Sequence, residues 1–67
     1  MDWLDRLREE RQQLHERRKN LLLFIGSCKF RDLPECEQEA LQSQHDIMRA
    51  YEAILYRRIV RAEKHNA

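Results

Sequence analysis

The first part of the chain carries a repeating hydrophobic pattern. Apolar residues recur at alternating spacings of three and four from Leu4 to Cys28, which predicts an amphipathic helix over about residues 2–28. Gly26 marks the approach to the end of this helix, because glycine is unfavourable in a helix interior. Two positions of the apolar row are occupied by arginine instead, Arg11 and Arg18, one heptad apart.

A second pattern fills the rest of the chain and predicts a helix over about residues 33–63. It follows a predicted turn over about residues 29–32, in which Phe30 is expected to close the end of the structure. Residues with a seven-residue repeat form its main row: Leu41, Met48, Leu55 and Ala62. Alternate positions of the predicted seam are polar or amphipathic: Gln44, Tyr51 and Arg58.

Two long helices joined by a short turn predict an all-α fold, a single antiparallel hairpin over residues 1–67. With the turn centred near Arg31, residue i faces about residue 62 − i, within one helical turn. Arg18 is then expected opposite Gln44, and Arg11 opposite Tyr51. Because two helices cannot enclose a core, we expect the hairpin to self-associate into a homodimer or larger helical bundle.

Three interpretations of Arg11 and Arg18 are open. Their aliphatic stems can cover apolar surface while the guanidinium groups reach water. Alternatively, polar seam residues can fix helix register and subunit number. In the third interpretation they hold an anion, because a guanidinium is always charged and its planar fork of donors matches phosphate. Tyr51 would then add an aromatic face and a hydroxyl group, and Gln44 both a donor and an acceptor.

Composition and charge exclude several function classes. The net charge is +1, which favours neither nucleic acid nor a membrane as a partner, although the basic segment 57–64 leaves DNA binding as a weak alternative. No apolar run is long enough to span a membrane, and the charged N-terminal segment does not resemble a signal peptide, so we expect a cytoplasmic protein. The residues show no catalytic, cofactor-binding or metal-binding pattern, so a non-enzymatic protein without a cofactor is expected.

The stretch from Leu22 to Ile59 resembles a family of short phage and prophage helical-hairpin proteins that is named after a crAss-like phage member. The resemblance covers just over half of the chain and is carried by these residues: Phe24, Ile25, Ser27, Phe30, Leu33, Glu37, Gln38, Gln44, Met48, Tyr51, Leu55, Arg58 and Ile59. By analogy with other small helical phage proteins, it implies an inhibitor of host defence. Some such inhibitors bind cyclic oligonucleotide or cyclic ADP-ribose signals between subunits.

These observations together favour a phage-type anti-defence protein that sequesters a small phosphorylated signal without catalysis, in the host cytoplasm. The expected ligand-binding residues are Arg11, Arg18, Gln44, Tyr51 and Arg58. The alternative is an inhibitor or adaptor that binds a host protein through its helical surface, using either the apolar stripe or an acidic patch of Glu35, Glu37 and Glu39.

Overall fold

The protein is an all-helical hairpin in which two long helices pack side by side. The structure, a computed structural model, describes residues 2–66 and the side chains of residues 2–65. Helix α1 spans Trp3–Ile25, the short helix α2 spans Cys28–Arg31, and helix α3 spans Glu35–Asn66. The Cα positions extend over 50 × 17 × 14 Å, so the molecule is a rod about as long as α3. Within the described residues, no helix is both long and apolar enough to cross a membrane.

The sequence explains where α1 begins and ends. The carboxylate of Asp2 accepts a hydrogen bond from the Asp5 backbone N–H at 2.9 Å, which satisfies one of the free donors of the first turn. At the other end, the Gly26 N–H donates to the carbonyl of Leu22. The helix therefore ends at Ile25, three residues before the predicted limit.

Part of the predicted turn is helical, which corrects the expectation for residues 29–32. The hydroxyl of Ser27 accepts from the Phe30 N–H and so begins α2 as its N-cap. The Phe30 ring is buried against Phe24 in an edge-to-face contact, with 6.2 Å between centroids. Phe30 therefore closes this end of the hairpin, as expected.

The chain reverses direction after α2, over residues 32–34. The carbonyl of Pro34 accepts the first hydrogen bonds of α3, from the N–H groups of Glu37 and Gln38. The Gln38 side chain also donates to the carbonyls of Leu33 and Arg31, at 2.9 and 3.3 Å, which ties the reversal to α3. Helix α3 begins two residues later than predicted and continues to Asn66, three residues beyond the predicted end.

The core lies between α1 and α3, toward the end of the hairpin where α1 begins and α3 ends. Its buried members are all apolar, and Leu55 is fully enclosed. Met48 packs against them from the middle of α3. The core consists of Leu4, Leu7, Leu14, Leu55, Ile59 and Ala62.

Helix α3 is rotated relative to the orientation that the sequence predicted. Two rows of side chains point toward α1. One is the expected main row, and the other includes Glu52 and Ile59. The expected second row, Gln44, Tyr51 and Arg58, lies beside the seam and is exposed. Burial of Ile59 explains the rotation, because the apolar side chain gains from leaving water and Arg58 does not.

Candidate functional site

The structure places the five predicted ligand-binding residues on two sides of the hairpin. Arg11 and Arg18 open onto one side of the α1–α3 seam, beside Tyr56. Tyr51 lies on the other side, where its hydroxyl group donates a hydrogen bond to Glu10 of α1. Gln44 and Arg58 lie one heptad before and after Tyr51 on the same face of α3. A single chain therefore does not bring the five residues together.

Arg18 is held by a carboxylate that the sequence analysis missed. Its Nε atom donates to Oε2 of Glu52 at 2.5 Å, and this Glu52 side chain is only 12% exposed. The other carboxylate oxygen of Glu52 lies 2.6 Å from Nδ1 of His15. The hydrogen bond from Arg18 lowers the pKa of Glu52 below its ordinary value, and the hydrogen bond from His15 adds to the effect.

Arg11 has a different environment from Arg18. Its Nε atom is buried and has no hydrogen-bond partner among the described residues. Its guanidinium carbon lies 5.3 Å from the centroid of the Tyr56 ring, within the range of a cation–π contact. A buried donor without a partner lowers stability, so this position favours a group that supplies an acceptor.

Arg11 and Arg18 both line a groove of about 260 Å³ on this side of the molecule. Arg11 and Tyr56 also border a second groove, of about 380 Å³. We call the first of them the arginine groove. It is lined by Arg11, Arg18, Arg49, Glu52, Ala53 and Tyr56. Because three arginines outnumber the single carboxylate, the groove attracts anions.

Four residues of this region were not predicted, namely His15, Arg49, Glu52 and Tyr56. On α3, the sequence offered two rows with the same spacing. One row is Gln44, Tyr51 and Arg58, and the other is His45, Glu52 and Ile59. Each of these rows has only one or two residues that suit a buried face. Periodicity alone therefore did not show which row faces α1. Ile59 was the one signal that favoured the second row, and with it Glu52.

The register of the two helices also differs from the prediction. Glu52 lies opposite Arg18, where Gln44 was expected, and Tyr56 lies opposite Arg11, where Tyr51 was expected. Each observed partner lies closer to the C-terminus of α3 than the expected one. The partner of Arg18 is displaced by about two helical turns, and the partner of Arg11 by somewhat more than one. A reversal at residues 32–34 instead of at Arg31 moves each expected partner by about four residues, or about one turn, and so accounts for part of the displacement.

On the other side of the seam, the predicted residues Gln44, Tyr51 and Arg58 are exposed. Tyr51 lies between Ile47 and Ile54 on the surface of α3, and both isoleucines are exposed. The hydrogen bond to Glu10 raises the pKa of the Tyr51 phenol above its ordinary value. Arg58 borders a shallow depression near the start of α1 that is also lined by Trp3, Arg61, Ala62 and His65.

Comparison with known families assigns the chain to one family. The model of the family described as Sequestin matches residues 1–61, which is nearly the whole sequence. The chain belongs to the Sequestin family. The family membership expected from the resemblance is thereby confirmed, and a phage origin stays a prediction. No curated protein and no solved structure matches the chain.

The chemistry available to this Sequestin-family chain in the arginine groove is the binding of a flat or phosphorylated anion. Guanidinium groups donate pairs of hydrogen bonds to phosphate, and the Tyr56 ring offers an aromatic face. The groove is open and small compared with pockets that enclose a drug-sized ligand. A flat or phosphorylated anion in this groove would therefore remain partly exposed.

Proposed function

We propose that this protein sequesters a small phosphorylated signal, of the cyclic oligonucleotide or cyclic ADP-ribose class, without altering it chemically. The family name, Sequestin, supports capture of a ligand as the activity. The observation that carries the proposal is the Arg11 guanidinium, which lies over the Tyr56 ring at the groove and whose buried Nε has no partner among the described residues. A phosphate oxygen in the groove would accept hydrogen bonds from this guanidinium, and a base or other flat group would contact the aromatic face.

Glu52 sets the balance of charge in this proposed site. It neutralises Arg18 in the free protein and so lowers the cost of keeping that arginine partly buried. An incoming phosphate would compete with Glu52 for the Arg18 guanidinium. Arg49 makes no ion pair with any described residue and is free to contact the ligand. The proposed site thus contains one arginine that Glu52 neutralises, Arg18, and two that can bind a ligand, Arg11 and Arg49.

Self-association is also part of the proposal. A homodimer or larger bundle would cover apolar side chains that a single hairpin leaves exposed, among them Trp3 and Ile47. We place the protein in the cytoplasm of a host cell, where a phage inhibitor of signalling would meet its ligand. DNA and membranes are not proposed as partners.

A thermal-shift screen tests the proposed ligand class. The purified protein is heated with cyclic dinucleotides, cyclic trinucleotides, cyclic ADP-ribose isomers and plain nucleotides. A true ligand at a hundred times its dissociation constant should stabilise the protein by about 2.7 kcal/mol. Mass spectrometry of the ligand released on denaturation should recover it intact. Recovery of a converted product would contradict sequestration and indicate catalysis.

An inhibitor or adaptor that binds a host protein is the second candidate. The specific observation in its favour is the exposed pair Leu22 and Leu23, near the closed end of the hairpin. Hydrophobic side chains of this size on a surface are a common feature of protein contacts. The acidic patch of Glu35, Glu37 and Glu39 lies on the first turns of α3. A screen without any stabilising nucleotide would favour this candidate.

A further inference from the structure

The outer surface of α3 carries a second row of exposed side chains, of which only Tyr51 makes a hydrogen bond within the described residues, to Glu10. Ile47 is 69% exposed and Ile54 is 46% exposed, on either side of Tyr51. Glutamine precedes this group and arginine follows it, at spacings of three and four residues. We call this row the outer stripe, and it consists of Gln44, Ile47, Tyr51, Ile54 and Arg58.

The order of residue types in the outer stripe is nearly the same in both directions from Tyr51. An isoleucine lies four residues before it and another three residues after it, and a polar side chain lies seven residues away on each side. A two-fold symmetric contact requires one surface to be complementary to itself. In an antiparallel pair of α3 helices centred on Tyr51, the Ile47 of each chain would meet the Ile54 of the other.

Charge along α3 favours the antiparallel arrangement over the parallel one. The first part, residues 35–46, contains four acidic residues and no lysine or arginine. The last part, residues 57–64, contains four basic residues and one acidic residue. An antiparallel pair places the acidic part of each helix beside the basic part of the other, whereas a parallel pair juxtaposes like charges.

We propose that the outer stripe is the contact between two copies of this chain, with their α3 helices antiparallel and a two-fold axis close to Tyr51. Three of the predicted ligand-binding residues, Gln44, Tyr51 and Arg58, then form the subunit contact, with Gln44 of each chain near Arg58 of the other. The inference rests on the self-association in the proposed function and does not depend on the ligand. Each arginine groove stays outside this contact.

Disulfide trapping without ligand tests the contact. The background is the Cys28→Ser, Cys36→Ser variant, which removes two exposed thiols. Into it are placed Tyr51→Cys, on the proposed axis, or Tyr56→Cys as a matched control. The two tyrosines are similarly exposed, 41% and 54%, and lie on opposite sides of the seam. Under mild oxidation, Tyr51→Cys should give a covalent dimer, because close Cβ atoms are required for a disulfide, and Tyr56→Cys should stay monomeric on a gel.

Two further variants test the direction of the helices. Gln44→Cys and Arg58→Cys should each fail to cross-link alone and should form a covalent heterodimer when mixed. Cross-linking of Gln44→Cys with itself would overturn the antiparallel arrangement. Equal or faster cross-linking of Tyr56→Cys would overturn the choice of surface. Circular dichroism of each variant confirms folding, and a folded, purely monomeric parent protein would overturn the proposal while leaving ligand capture to the thermal-shift screen.

Discussion

The two tyrosines of α3 lie five residues apart and have opposite surroundings. Tyr56 presents its ring to the Arg11 guanidinium, in a groove lined by arginines. Tyr51 presents its hydroxyl group to a carboxylate, on a surface whose neighbours are isoleucines. One side of the hairpin therefore offers donors to an anion, and the other offers apolar area to another protein surface. In this account a single helix separates ligand capture from self-association.

The largest expected effect comes from the core that both sides share. Leu55 is fully buried between α1 and α3. Leu55→Ala should lower the free energy of unfolding by about 3 kcal/mol, through lost burial and the cavity left behind. Urea denaturation measures the loss. Leu22→Ala, at an exposed site, is the control and should change little. An equally small loss for Leu55→Ala would show that α1 and α3 do not pack as described.

A charge on the outer stripe should separate assembly from binding. Ile47→Glu places a carboxylate in the proposed subunit contact and should weaken self-association at least tenfold, measured by sedimentation. Gln42→Glu adds the same charge at an exposed position on the opposite side of α3 from the stripe and should leave assembly unchanged. If Gln42→Glu and Ile47→Glu weaken assembly equally, net charge rather than the stripe controls it.

Removal of Glu52 should affect the other side of the molecule. Glu52→Gln should lower the free energy of unfolding by about 1 kcal/mol at neutral pH, because the charged acceptor of Arg18 is lost. The variant should also bind inorganic pyrophosphate more tightly, since Arg18 no longer has a competing carboxylate. Equilibrium unfolding and pyrophosphate titration measure the two effects. Unchanged stability would mean that the ion pair is not formed in solution.

The same ion pair gives the stability a defined pH dependence. The pKa of Glu52 is lowered in the folded protein from an ordinary value of 4.5. Its contribution is therefore complete above about pH 4.5 and is lost as the pH falls through the lower, folded-state pKa. Part of the acid-induced loss of stability should be missing in Glu52→Gln. Identical pH profiles for the two proteins would contradict the assignment.

Periodicity predicted the all-helical hairpin, and the apolar side chain of Phe30 in the turn predicted that it would close the end of the hairpin. It did not predict the rotation of α3, because His45–Glu52–Ile59 and Gln44–Tyr51–Arg58 have the same spacing. The short helix α2 was missed since a four-residue helix carries no hydrophobic repeat. Pairing of Arg18 with Glu52 depends on both features, so local sequence patterns could not identify it.

The smallest expected effect concerns the ionisation of Tyr51. Its hydrogen bond to Glu10 raises the phenol pKa above the ordinary value of 10.0. In a Tyr56→Phe background, Glu10→Gln should lower the pKa of Tyr51, measured by ultraviolet titration. Glu9→Gln is the control, because Glu9 instead accepts a hydrogen bond from Gln13. Equal shifts in both variants would indicate a general charge effect rather than this hydrogen bond.

The central claim is that Arg11 is kept on the seam for an anion at the expense of stability. The most direct measurement combines calorimetric unfolding of Arg11→Leu with titration of the best ligand from the screen. Leucine removes a buried donor that has no partner among the described residues, so the empty protein should gain about 1 kcal/mol while binding is lost. Arg31→Leu, far from the groove, should bind normally. Full binding by Arg11→Leu would contradict the claim and leave the arginine as a side chain that only covers the seam.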